Sequence, residues 1–181
     1  IKEGYLGYYF TADRESIYRI VYMTRICTRI LAPLINFECH STNYLYKTVK
    51  QINWNDFLTL TKTFAITCNT SNSKIRNSDY ASKILKDAIV DQFRENYGER
   101  PSVNKRYPDL QLNLYIHQNI ARISVDMGGG SLHRRGYRTE KVTAPIQENV
   151  AATILRLSEW NGKNPLYDPF CGSGTILIEA L

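Results

Sequence analysis

The residues best suited to chemistry lie together near the end of the chain: Asp168-Pro169-Phe170-Cys171-Gly172-Ser173-Gly174-Thr175. A short strand through Leu166 and Tyr167 would deliver the Asp168 carboxylate. Gly172 and Gly174, two positions apart, permit positive φ and close approach of the backbone. The apolar run Ile176 to Leu181 reads as a helix that begins at once, so its free amides face whatever sits in the turn. Such a turn suits a charged small-molecule cofactor. It has neither the Lys-Ser/Thr of a Walker A loop nor the third glycine of the dinucleotide fingerprint.

A second group is Leu132-His133-Arg134-Arg135-Gly136-Tyr137-Arg138. Three arginines, a histidine and a tyrosine within seven residues offer charge to phosphates and a ring to a base. Composition alone also describes a solvated linker. The net charge of +6 adds direction: residues 1–36 carry 5 Lys and Arg against 3 Asp and Glu, residues 37–141 carry 16 against 10, and residues 142–181 carry 2 against 4. A basic part joined to a mildly acidic one points to a polyanion partner for the first, although an ordinary basic surface has the same balance.

The elements that must position these groups follow from periodicity. Gly4 to Thr11 reads as a strand. A helix capped by Asp13 follows, with Ile17, Ile20, Val21 and Cys27 as its apolar stripe. Arg29 to Phe37 reads as a strand that Pro33 restricts to an edge or a bulge. One or two short helices are expected from Ser41 to Leu60 and a strand from Thr63 to Asn69. The best-defined helix is capped by Ser78, buries Ala81, Ile84, Leu85, Ala88, Ile89 and Phe93, and stops at Gly98. Leu112-Leu114-Ile116 and Ala121-Ile123-Val125 form a hairpin across Gln118-Asn119, with one face solvated. The triple glycine 128–130 ends it. Pro145 is expected to open a helix with Ile146, Val150, Ile154 and Leu157 on its apolar face.

Composition narrows the class. With 181 residues, 43% hydrophobic and 22% charged, the chain reads as globular and about one domain long. No run reaches the ~18 apolar residues of a membrane span. Cys27, Cys39, Cys68 and Cys171 form no C-x-x-C pair and read as buried small hydrophobes in a reducing compartment. His40, His117 and His133 lack partners at ligand spacing, so no metal is expected. Ile1-Lys2-Glu3-Gly4 shows neither a basic n-region nor an apolar h-region, and the cytoplasm is the expected location.

The string D-P-F-C-G-S-G-T before an apolar helix resembles the first motif of class I S-adenosylmethionine-dependent methyltransferases, in the branch that modifies nucleobase amines. That resemblance implies S-adenosylmethionine as cofactor. Asp168, Gly172, Ser173 and Gly174 would line it, within a cofactor segment that includes Pro169, Phe170, Cys171 and Thr175. The combination L-H-x-R-G-Y-R, A-P-I-x-E-N-x-A-A and D-P-F-C-G-S-G-T is similar to the junction between a THUMP domain and its methyltransferase domain. Ile75-Arg76-Asn77-Ser78-Asp79-Tyr80, Lys83 and Lys86 to Asp91 extend the likeness, together with Ile52-Asn53-Trp54 and Arg29 to Leu34. They resemble bacterial THUMP-containing methyltransferases that modify a guanine exocyclic amine in large-subunit ribosomal RNA. The similarity covers essentially the whole chain.

The fold so implied is α+β: a partial ferredoxin-like segment (1–36), a THUMP domain (37–130), a basic connector (131–143) and the first β-α unit of a Rossmann-like methyltransferase domain (144–181). Arg76, Lys83, Lys86, Arg134, Arg135 and Arg138 are the expected RNA contacts. The family's Asn-Pro-Pro-Tyr loop, which holds the target amine, does not occur in this sequence. The chain is therefore expected to be an internal fragment whose catalytic residues lie beyond Leu181 and which does not turn over alone. Two other readings stay open: an RNA-binding THUMP module without catalytic activity, and a nucleobase-amine DNA methyltransferase.

Overall fold

The computed structural model describes residues 1–4, 7–138 and 143–181. Along it run β1 (Lys2–Gly4), β2 (Gly7–Tyr9), α1 (Arg14–Met23), β3 (Leu31–Glu38), α2 (Thr42–Lys50), a 3-10 turn (Trp54–Asp56), β4 (Thr63–Ser71), α3 (Ser78–Tyr97), β5 (Ser102–Val103), β6 (Leu110–His117), β7 (Ile120–Asp126), α4 (Glu148–Leu157) and α5 (Thr175–Ala180). They form two compact units, one of residues 31–130 and one of residues 1–30 with 131–181.

In the first unit five strands form a mixed sheet ordered β3-β7-β6-β4-β5. β4 runs parallel to both β5 and β6, and β7 runs antiparallel to β6 and β3. Pro33 lies on the edge strand β3, where the register with β7 shifts between Pro33 and Ile35. An edge and a bulge are the two places a residue without an N–H costs no ladder bond. The same pairing, from Leu31 opposite Asp126 to Glu38 opposite Ile120, puts residues 31–36 in this sheet. The expected boundary at residue 36 thus falls inside a strand.

The core joins Leu45 and Val49 of α2, Leu85, Ile89 and Phe93 of α3, Trp54, and the sheet residues Phe64, Leu112, Leu114, Ile116 and Ile123. Asn113, Ser124 and Asp126 point to the other side of β6 and β7 and are buried as well, which corrects the expectation of a solvated face. Strands interior to a five-stranded sheet are flanked on both sides, and small polar side chains there are shielded by neighbours. Gln118 and Asn119 turn the hairpin with φ of 50° and 62°, the double left-handed pair of a type I′ turn. Asn119 Oδ1 also accepts from the Lys74 amide at 2.8 Å, tying the turn to the loop before α3.

The cap of α3 sits one residue earlier than expected. Asn77 Oδ1 accepts from the Tyr80 amide at 2.9 Å, and Ser78 is already helical. Gly98 ends the helix at φ 73°, as its position implied. Replacing Asn77 with alanine is therefore expected to cost about 1 kcal/mol in urea unfolding, and Ser78→Ala less than about 0.5 kcal/mol. Equal losses would return the cap to Ser78.

In the second unit the expected single strand Gly4–Thr11 is a hairpin, β1 paired antiparallel with β2; Tyr5 and Leu6 lie outside the described residues. Asp13 caps α1 by accepting from the Ser16 amide at 2.8 Å, a bond that holds its carboxyl below the usual range. No α1 residue is fully buried, and Cys27 lies beyond its end. α4 begins at Glu148 after Gln147, so Pro145 and Ile146 precede the helix. Its buried residues are Glu148, Ala151, Ala152 and Leu155, and the expected face of Val150, Ile154 and Leu157 is exposed. The reason is that α4 is apolar on more than one side, and periodicity does not choose between sides when both qualify. Leu166 and Tyr167 form no strand and have no ladder partner among the described residues. A strand exists only through its neighbours' hydrogen bonds.

Candidate functional site

The glycine turn has the backbone its composition implied. Gly172 takes φ 56° and Gly174 takes φ 70°, and the Gly174 amide donates to the Cys171 carbonyl at 2.7 Å. A Cβ at Gly174 would meet no atom within 4 Å, so its positive φ, and not crowding, excludes other residues. The same open space leaves the backbone accessible to a ligand. Asp168 is half-buried and its Oδ1 accepts from the Phe170 amide at 3.3 Å. Pro169, Phe170, Cys171 and Gly172 are exposed, Ser173 and Gly174 are half-buried, and Thr175 is buried. Ser173 Oγ and Thr175 Oγ1 stand 3.0 Å apart. Residues 168–174 therefore form one accessible turn, with a carboxylate and a hydroxyl at its sides and Thr175 buried beneath it, which fits the donor and acceptor chemistry of a charged small-molecule cofactor.

The arginine string divides. Arg134 is exposed. Arg135 and Arg138 do not face outward as expected of phosphate contacts. Arg135 Nε lies 3.3 Å from Glu179 Oε1, and its Nη2 donates to the Arg25 carbonyl at 2.7 Å. Arg138 Nη1 lies 3.6 Å from Glu148 Oε1, and its Nη2 donates to Thr175 Oγ1 at 2.9 Å and to the Ile146 carbonyl. Arg25 Nη1 and the Tyr137 hydroxyl, at 3.6 Å and 3.0 Å, complete the ring around Glu179. Burial first, then the bond to Glu179, pushes the Tyr137 hydroxyl up to about 12. Two buried carboxylates in apolar helices thus claim both guanidinium groups, because a buried charge must be paired. Glu148 entered the sequence reading only as part of the A-P-I-x-E-N-x-A-A string and Glu179 not at all, although a lone acid inside the apolar run Ile176 to Leu181 was its signal. Residues 139–142 of the expected connector lie outside the described residues.

The unit of residues 31–130 carries its own basic feature. Lys83 and Lys86 of α3 and Lys105, beyond β5, line a groove of about 350 Å³ with Asp79, Ser82, Phe64, Ala65, Ile66 and Val103. Three ammonium groups against one carboxylate leave the groove positive. Lys86 Nζ also pairs with Asp87 at 2.8 Å. Arg76, the remaining expected contact, is exposed in the loop before α3. Lys105 was missed because β5 has only two residues, too short for any periodicity to place it beside α3.

Cys39 and Cys68 have thiols pushed up by burial to about 11 and about 12, while Cys27 and Cys171 are exposed, which corrects the expectation that all four are buried. Among the described residues no group of three or more His, Cys, Asp or Glu is placed to hold a metal ion, and no helix is long and apolar enough to cross a membrane.

Comparison with known proteins gives these features a context. A family model described as "THUMP domain" matches residues 39–126, and one described as "RMKL-like, methyltransferase domain" matches residues 135–181. The chain is 39% identical over 180 residues to "Putative RNA methyltransferase slr0064" of Synechocystis sp., covering 99% of this chain and 47% of that protein. It is 41% identical over 184 residues to "Ribosomal RNA large subunit methyltransferase K/L" of Syntrophotalea carbinolica, covering 99% of this chain and 26% of that protein. It thus spans half or less of the length of these relatives. Among solved structures, a "predicted N6-adenine-specific DNA methylase" from Listeria monocytogenes superposes with a TM-score of 0.77 at 30% identity, covering 93% of this chain and 44% of that one. "SMU.472, a putative methyltransferase complexed with SAH" superposes with a TM-score of 0.69 at 33% identity, covering 84% and 41%. The two matched segments follow one another along the chain, one on the five-stranded sheet and one on the glycine turn: a THUMP domain and then a segment similar to an RMKL-like methyltransferase domain.

Proposed function

We propose that this chain is the RNA-gripping and cofactor-turn portion of an enzyme that transfers a methyl group from S-adenosylmethionine to a guanine exocyclic amine of large-subunit ribosomal RNA in the cytoplasm. One observation carries the reading: a single chain joins a THUMP domain to a D-P-F-C-G-S-G-T turn whose two glycines both take positive φ. S-adenosylmethionine, when bound, supplies an electrophilic methyl on a sulfonium. The residues toward it are Asp168, which accepts hydrogen bonds; Gly172 and Gly174, which bring the backbone close; and Ser173, which adds a hydroxyl. Pro169, Phe170 and Cys171 form the exposed wall and Thr175 the buried anchor. Lys83, Lys86 and Lys105 take the RNA backbone in their groove; Arg76 in the same unit and Arg134 in the other are further exposed cations for phosphate. The target guanine leaves its stack before reaction, since a stacked base presents its amine poorly.

The test uses Cys171 as a reporter inside the turn. With Cys27 as internal control, saturating S-adenosylhomocysteine is expected to slow alkylation of Cys171 at least threefold and leave Cys27 unchanged. In parallel, binding to unmodified large-subunit ribosomal RNA should weaken with salt. The Lys83→Ala/Lys105→Ala variant should lower the log–log salt slope by roughly 2, about one unit for each phosphate that is no longer neutralised. No protection of Cys171, or preference for duplex DNA over structured RNA in competition, would overturn the assignment. The second outcome would favour the DNA methylase reading, which the name of the Listeria protein suggests for that protein.

A further inference from the structure

The Thr175 hydroxyl has an unusual position: it is buried at 2% exposure, yet it lies on the cofactor turn and touches a cation. A guanidinium group only donates, so toward Arg138 Nη2, 2.9 Å away, Thr175 Oγ1 is the acceptor. Thr175 then has one hydrogen of its own to place. A buried hydroxyl left without an acceptor is costly. Of the two groups that contact Oγ1 among the described residues, Arg138 cannot accept and Ser173 Oγ, at 3.0 Å, can. The direction of the chain follows: Arg138 donates to Thr175, and Thr175 donates to Ser173. Ser173 Oγ has accepted, so its own hydrogen points elsewhere. Ser173 is half-buried between two glycines that present no side chain, and the space where a Gly174 Cβ would lie is open.

Resting on the cofactor reading above, we propose that Arg138 acts as a positioning residue that polarises the Thr175–Ser173 hydroxyl pair, so that Ser173 is held as a hydrogen-bond donor for the carboxylate of S-adenosylmethionine. The carboxylate is the only anionic group of that molecule, and a hydroxyl that donates to it makes a charge-assisted bond, about twice as strong as a neutral one. The arrangement is directional. Without Arg138 or the Thr175 hydroxyl, Ser173 is free to rotate and present a lone pair, which a carboxylate repels. Glu148 and the Ile146 carbonyl, the other partners of Arg138, hold the guanidinium in place for this task.

The experiment is a titration of the 15N-labelled chain with S-adenosylmethionine and, separately, with its decarboxylated analogue, following the Gly172 and Gly174 amides. The wild-type chain is expected to bind the carboxylated molecule about tenfold more tightly. Thr175→Ser, which keeps the hydroxyl, should retain that preference. Thr175→Val, which keeps the shape and removes the hydroxyl, and Ser173→Ala should both reduce it to within about twofold. Dispersed amide signals from the rest of the unit would show that the variants fold. A preference undiminished in Thr175→Val, or absent in a wild-type chain that binds both molecules, would overturn the polarity argument and leave the cofactor reading standing. Unmoved Gly172 and Gly174 amides with either molecule at millimolar concentration would overturn both.

Discussion

Replacing Trp54 with alanine is expected to remove about 4 kcal/mol from the stability of the unit of residues 31–130, a large share of the roughly 5–15 kcal/mol that a domain of that size commonly has. Trp54 is fully buried and is held on three sides. Its indole Nε1 donates to the Val49 carbonyl at 3.0 Å, its amide donates to Gln92 Oε1 at 3.0 Å, and its ring lies 6.1 Å from that of Phe57. Gln92 also donates from Nε2 to the Lys50 and Ile52 carbonyls, so α3 clamps the loop that carries the indole. Truncation would leave a cavity and take one donor from the Val49 carbonyl, which keeps the Ile52 amide at 3.1 Å. Trp54→Phe fills most of the cavity and costs one hydrogen bond to a carbonyl that keeps another donor, so about 1 kcal/mol is expected. Urea unfolding followed by far-ultraviolet circular dichroism measures both. A Trp54→Ala loss below about 1.5 kcal/mol would mean that this core is open to collapse or to water.

The second large effect concerns Glu179, whose side chain is 1% exposed and receives Tyr137, Arg135 and Arg25. Glu179→Ala strands the Arg135 guanidinium, itself 20% exposed, and removes the acceptor of the Tyr137 hydroxyl. Arg25 is 53% exposed and can return to water, so most of the cost falls on the other two. A loss of about 3 kcal/mol is expected for the unit of residues 1–30 and 131–181. The fluorescence of Trp160, which lies in that unit, reports it. Glu179→Gln retains shape and an acceptor and should cost about half as much. The same unit has an alkaline limit. The hydroxyl of Tyr137 is raised from 10.0 to about 12, so above pH 10 the unfolded chain sheds a proton that the fold retains. The stabilisation is complete below pH 10 and is lost as pH rises towards 12. A Trp160 transition that is unaltered in Glu179→Ala would show that the cluster contributes nothing.

Particular residues show where sequence reasoning reached and where it stopped. Asp13, Gly98, Pro33 and the Gln118-Asn119 turn were legible because each acts through its own backbone or the next few residues: a cap, a left-handed stop, a missing donor, a hairpin turn. Gly172 and Gly174 of the 168–175 turn belong to the same class. Asn77 and Ser78 are both good caps, and only the entry angle of the chain chose between them. α4 offered two apolar faces, and Leu166-Tyr167 looked like a strand because propensity describes a residue and not its partners.

What the sequence alone determined about this protein is therefore its local chemistry: the sign of the charges, the turns, the periodic elements and the glycine-rich string that carries the family likeness. The tertiary structure decided where the charges point. Arg135 and Arg138 looked like phosphate contacts, and their carboxylate partners lie 44 and 10 residues further along the chain at Glu179 and Glu148. The physical reason is that burial removes water as a partner for a guanidinium group. Its direction is then set by whichever carboxylate the fold has buried beside it, and that neighbour is known only once the chain has folded.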